Sequence, residues 1–170
     1  MVGSRNGWVE VPYIECPITP EKLAKNIFKL EAFNRGNAWI VPGVSSVSDC
    51  NCFDVMRGEE VQIIGTQVLR KRNNRLPPDI VCLPGTHNKW VHFAGGRVHK
   101  FSTTMTGEIF DVLSKHSILS QSVESNEACD QTAFEEGLEV SRRRGGILHQ
   151  LFTVRTGNLK GDRSTGQGRA

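Results

Sequence analysis

Within 170 residues there is no run of 18 apolar side chains, and the first residues carry no charged-then-apolar pattern. The first absence excludes a transmembrane helix and the second speaks against a secretory leader, so the chain is expected in the cytoplasm with no membrane partner. Aromatic residues make up only 7%, too few for the stacking platform that holds single-stranded nucleic acid. Charge of one sign is scarce as well, with a formal net charge of +3 and a single sharp basic cluster, Arg142-Arg143-Arg144. Arginines suit the negative end of a helix dipole and Gly145-Gly146 would stop such a helix, so the cluster reads as a helix end. A nucleic-acid reading, resting on this cluster and on the basic stretch 70–75, would require steeply salt-dependent binding.

Cysteine is present without a framework. The five cysteines, at 16, 50, 52, 82 and 129, are odd in number and irregular in spacing, which points to reduced thiols. Cys50-Asn51-Cys52 has neither a second pair nor a histidine at ligand spacing, whereas zinc takes about four ligands in a compact array. His87 and His92 are expected on opposite strand faces, so no metal site is assigned. At 38% hydrophobic the chain can still bury one core.

What is present begins with a capped helix. Thr19-Pro20-Glu21 supplies a cap, a proline in the first turn and an acid near the positive dipole end, and Leu23, Ile27, Phe28 and Leu30 predict a helical stripe to about Phe33. Ala38–Val41 reads as a short buried strand, and Ser45 to Asp54 as a polar loop at its carboxyl end, where ligands of open α/β sheets bind. A second helix is predicted from about Val55 to Leu69, followed by a linker, Arg70 to Pro78. From Glu127 to Val140 the spacing predicts a helix with Ala133, Phe134 and Leu138 inward.

The richest stretch is Asp79 to Val91, in which an apolar run meets the small polar tip Pro84-Gly85-Thr86-His87-Asn88 and turns back into another apolar run. Gly85 lets backbone amides approach a ligand, Thr86 and Asn88 offer hydrogen bonds, and Lys89 is a point charge of the kind that holds phosphate oxygens. An ordinary hairpin is the alternative. A third strand, Arg97 to Thr103, and a helix from near Thr106-Gly107-Glu108 follow, with Ile109, Phe110, Leu113 and His116 on one stripe.

Five strings carry a resemblance: 1–8 (MVGSRNGW), 54–65 (DVMRGEEVQIIG), 83–91 (LPGTHNKWV), 105–108 (MTGE) and 149–155 (HQLFTVR). Their order and spacing resemble 2-dehydro-3-deoxygalactonokinases from Met1 to about Arg155. The resemblance implies an α/β fold, an incomplete actin-like ATPase (ribonuclease H-like) two-domain sugar kinase. It places the C-terminal part of the first domain at 1–76 and the N-terminal part of the second at 79–155. Residues 156–170, with four glycines and one large apolar side chain, are expected to be a disordered tail outside the family. The chain would be a middle portion, without the family's N-terminal Asp-x-Gly phosphate hairpin or its C-terminal adenosine turn. About one strand of a five-stranded sheet would remain in the first half, leaving this chain inactive alone.

The activity implied is transfer of the γ-phosphate of ATP, with Mg2+, to the 6-hydroxyl of 2-dehydro-3-deoxy-D-galactonate; the partners are a sugar acid and a nucleotide. Phosphorylating a hydroxyl needs a carboxylate near the attacking oxygen and donors around the phosphoryl group. Asp54, at an expected strand-to-helix junction, is either that base or a helix cap; Glu59 and Glu60 are rival bases, or face solvent, or pair with Arg57. Arg57 either grips the substrate carboxylate with its fork or is a surface arginine. Ser4, Arg5 and Asn6 match a family turn that lines the sugar pocket. Gly85, Thr86 and Lys89 are the phosphate-side candidates, with Thr106 and Gly107 either reinforcing that anion site or opening a plain capped helix. A non-catalytic sugar-acid-binding or vestigial fragment is the second reading.

Overall fold

The structure is a computed structural model and describes residues 11–30, 38–48, 50–122 and 130–160. The chain divides into two compact units, Met1–Thr106 and Gly107–Ala170.

The first unit opens with strand β1 (Ile14–Glu15) and helix α1 (Pro20–Lys25). Thr19 caps α1, its hydroxyl accepting the Lys22 amide at 3.2 Å. The helix ends at Lys25, not near Phe33, because the Asn26 side chain donates back to the Lys22 carbonyl at 2.8 Å and Ile27 and Phe28 favour extended backbone. Phe28–Leu30 is strand β2, paired antiparallel with β3 (Ala38–Ile40). That strand is not buried as expected: among the described residues β2 is its one sheet partner, and Trp39 is 58% exposed.

The expected polar loop 45–54 is largely a hairpin, β4 (Val44–Val47) and β5 (Phe53–Met56), and β4 also pairs in parallel with β1. Its serines concealed it. Ser45 and Ser46 are buried, and the Ser46 hydroxyl is satisfied by the Phe101 amide at 3.2 Å. Among the described residues five strands therefore precede the second helix, against an expectation of about one. Gly43, just before β4, allows the close fit: a Cβ there would lie 2.5 Å from the Tyr13 ring and 2.7 Å from the Met56 carbonyl oxygen.

Helix α2 runs from Glu59 to Arg72. It begins four residues later than expected, because Gly58 adopts φ +108° and sets the entry turn. Ile63 and Glu60 point inward, while Val61 and Val68 lie on the exposed side. Three antiparallel strands follow as expected: β6 (Ile80–Leu83), β7 (Asn88–Ala94) and β8 (Arg97–Thr104). Strand β8 packs against β4 and β5, and a bridge between Ile18 and Val98 ties the two sheets. One core results, formed by Ile18, Leu23, Val44, Met56, Ile63, Val91, Val98 and Phe101. The stretch 70–78 thus joins two sheets that share a core.

The second unit is helical. Helix α3 (Thr106–His116) precedes a 3-10 turn (Ile118–Ser122), α4 (Gln131–Ser141) and α5 (Gly146–Lys160). Asp130 caps α4 by accepting the amides of Thr132 and Ala133 at 2.9 and 3.2 Å. Arg142 ends the helix, and Gly145 and Gly146 adopt positive φ, as the sequence pattern predicted. Helix α5 packs on α4 and on the 3-10 turn. Ala133 is buried, whereas Phe134 and Leu138 are exposed, as are Ile109 and Phe110 of α3. Thr156 to Lys160, read as disordered, continue α5; residues 161–170 lie outside the described residues. No described helix is long and apolar enough to cross a membrane.

Candidate functional site

Two clusters form where β5 runs into α2. The first lies inside the unit. Asp54 is on β5, not at the helix start, so it is not a cap. Its Oδ1 accepts the Thr103 hydroxyl at 2.6 Å and its Oδ2 accepts the Thr103 amide at 2.6 Å. Lys89 is buried, and its Nζ donates to Thr103 Oγ1 at 2.8 Å and to the Val55 carbonyl at 3.1 Å. The Thr103 hydroxyl therefore receives from Lys89 and gives to Asp54, a relay of charge-assisted bonds in a half-buried setting. Register explains it: Lys89 stands opposite Thr103 across β7 and β8, which puts both on one face.

The second cluster is the turn that follows. Arg57 is exposed, with its guanidinium 4.6 Å from the centroid of the Tyr13 ring and donating to the Val11 carbonyl at 2.8 Å. Stacking and one hydrogen bond to described residues fix the plane of the fork, whose five donors suit a planar anion. Glu59 Oε2 accepts the Arg57 amide at 3.2 Å, and Glu60 Oε2 accepts the Gly58 amide at 2.6 Å. Both carboxylates thus serve the first turn of α2, where the helix dipole favours negative charge. They differ in access. Glu60 is 1% exposed and burial pushes its carboxyl above the usual range, while Glu59 is half-buried. No side-chain ion pair with Arg57 is formed by either in the described contacts.

The phosphate-side candidates are arranged differently from expectation. The tip Pro84–His87 is exposed, but the Gly85 amide is taken by Asn88 Oδ1 at 2.9 Å. Thr86 is exposed at that tip. Lys89 faces the core rather than the tip, because its position on β7 alternates inward. Thr106 and Gly107 open α3, with Thr106 Oγ1 3.0 Å from Thr104 Oγ1. Ser4, Arg5 and Asn6 lie outside the described residues. The sequence pattern missed Thr103 and Tyr13; the 89/103 strand pairing was the signal for the first, and nothing local marks the second.

A family model described as 2-keto-3-deoxy-galactonokinase matches residues 1–170. The chain belongs to this family. The match includes 156–170, which corrects the expectation of a tail outside the family. A probable 2-dehydro-3-deoxygalactonokinase of Rhizobium meliloti (strain 1021) is 38% identical over 162 residues, covering 94% of this chain and 51% of that protein. The 2-dehydro-3-deoxygalactonokinase of Escherichia coli (strain K12) is 35% identical over 161 residues, covering 95% and 51%. A crystal structure of a Sinorhizobium meliloti protein, provisionally assigned as a 2-dehydro-3-deoxygalactonokinase, superposes with a TM-score of 0.79 at 36% identity, over 99% of this chain and 55% of that one. The chain spans about half the length of the curated relatives it matches.

Members of the 2-keto-3-deoxy-galactonokinase family are named as kinases, which implies ATP and a divalent cation. The donors described here do not by themselves fit the phosphate chain of a nucleotide. The Lys89 ammonium is spent inside the unit and the Gly85 amide is occupied. Among the described residues no group of three or more His, Cys, Asp or Glu stands where it could hold a metal ion.

Proposed function

We propose that the chain carries the sugar-acid side of a 2-dehydro-3-deoxygalactonokinase with an actin-like ATPase fold. The reaction, in the full-length architecture of the relatives, is transfer of the γ-phosphate of ATP, with Mg2+, to the 6-hydroxyl of 2-dehydro-3-deoxy-D-galactonate in galactonate breakdown. The observation that carries this reading is the Arg57 fork, held flat by Tyr13 and Val11 beside the exposed side of Glu59, in a chain whose whole length matches the kinase family. A guanidinium so fixed suits a carboxylate bound by two parallel hydrogen bonds. Glu59 is the best placed of the three candidate bases, because Asp54 is committed to Thr103 and Glu60 is enclosed. Asp54 holds β5 against β8, and so fixes where Arg57 and Glu59 emerge.

The second reading, sugar-acid binding without phosphoryl transfer, is favoured by one observation: the phosphate-side donors Lys89 and Gly85 are already engaged. Both readings expect the same ligand at Arg57. Sugar-acid-dependent ADP release, with the product examined by mass spectrometry, separates them in a protein of the relatives' length that contains this chain, where only the first reading expects turnover. Release at background by this chain alone, with sugar-acid binding intact, supports the allocation of the phosphate machinery to the rest of the architecture. Turnover above background contradicts it. The reduced, irregularly spaced cysteines favour a cytoplasmic setting.

A further inference from the structure

The loop between β4 and β5 carries chemistry that phosphoryl transfer does not use. Cys50 and Cys52 are both exposed, and their Sγ atoms are 3.3 Å apart. The loop is tied by its own bonds: the Ser48 amide donates to the Cys52 carbonyl at 2.9 Å, the Cys52 amide to Ser48 Oγ at 3.1 Å, and the Asn51 amide to the Ser48 carbonyl at 2.9 Å. Asn51 takes φ 60°, which turns the two cysteines toward the same side. Ser48 Oγ also lies 3.0 Å from Cys50 Sγ.

We propose that Cys50 and Cys52 are a redox-active dithiol that closes to an intramolecular disulfide by exchange with small-molecule disulfides such as glutathione disulfide. The Cys50 thiolate attacks one sulfur of glutathione disulfide, forming a mixed disulfide and expelling one glutathione thiolate. Cys52, after losing its proton to solvent, attacks Cys50 Sγ and expels the second. The chain loses two electrons and two protons, and one glutathione disulfide becomes two glutathiones. Hydrogen bonds from Ser48 and Cys52 lower the Cys50 thiol and so favour the thiolate, while the hydrogen bond to Cys50 and the charge of Cys50 raise Cys52. The order of attack follows from that difference. Cys16 makes the contrast, since burial pushes its thiol up to about 11. A zinc reading has less support, because no third ligand stands beside the pair among the described residues.

The test is incubation of the reduced chain with glutathione disulfide, followed by proteolysis and mass spectrometry of the peptide spanning residues 50–52. The expected product is that peptide two hydrogens lighter and free of glutathione, formed at least several-fold faster than in the urea-unfolded chain. Cys52→Ser should trap one glutathione on Cys50, and Cys50→Ser should react more slowly. A persistent glutathione adduct on wild type, or a rate no higher than in the unfolded chain, overturns the proposal. The variants sit in an exposed loop, and circular dichroism confirms that each remains folded.

Discussion

Lys89 shows how one side chain can be read correctly in type and wrongly in direction. A lysine after a Gly-Thr-His-Asn tip invites a phosphate, yet strand alternation sends it to the core, where Thr103 and Val55 receive it. Lys89→Met keeps the length and removes the donor that the partly buried Val55 carbonyl and the Thr103 hydroxyl accept from. It should cost about 1–3 kcal/mol in chemical denaturation, and combining it with Asp54→Asn should cost less than the sum of the two single losses. Glu60 permits a test of sign. Burial raises its carboxyl, so the folded chain holds that proton more tightly than the unfolded chain does. Its stabilising contribution is complete below the ordinary glutamate value and is lost as pH rises through the raised one. Glu60→Gln should flatten that decline when denaturation midpoints are followed against pH; an unchanged slope would show that Glu60 is not the source. Thr103 was illegible for a related reason, since its role exists only once β7 and β8 are paired in register.

Among the elements, legibility followed local signals. Thr19 before Pro20, and the paired glycines after Arg144, mark helix ends by chemistry that needs no tertiary partner. The three-strand run 80–104 was legible from alternation and from the Ala94-Gly95-Gly96 turn. The β4–β5 hairpin was not, because buried serines read as loop until β8 supplies their partner. The end of α1 was missed because a helical stripe and an extended Ile-Phe-Lys-Leu segment share the same apolar residues. Gly43 belongs to this scale as well. Gly43→Ala would press a methyl group into Tyr13 and the Met56 carbonyl, and should destabilise the first unit by about 1–3 kcal/mol. Because Tyr13 is the ring under Arg57, the same variant should also weaken sugar-acid binding; a stable variant with unchanged affinity would contradict that link.

For the whole molecule, the family was legible from five strings in register, while the core shared across the stretch 70–78 was not. Arg70 to Pro78 has the composition of a linker, but apolar residues on both sides of it meet in one core, and no local pattern announces that meeting. The actin-like two-domain architecture and the catalytic assignments remain what is proposed for the protein of the relatives' length. In that proposal Arg57, fixed by Tyr13 and Val11, receives the carboxylate of the sugar acid. Calorimetric titration of 2-dehydro-3-deoxygalactonate into the wild-type chain and into Arg57→Ala, without nucleotide, tests it most directly. Saturable binding by the wild type and at least tenfold weaker binding by the folded variant are expected; no binding by the folded wild type, or equal binding by both, would overturn this role for Arg57.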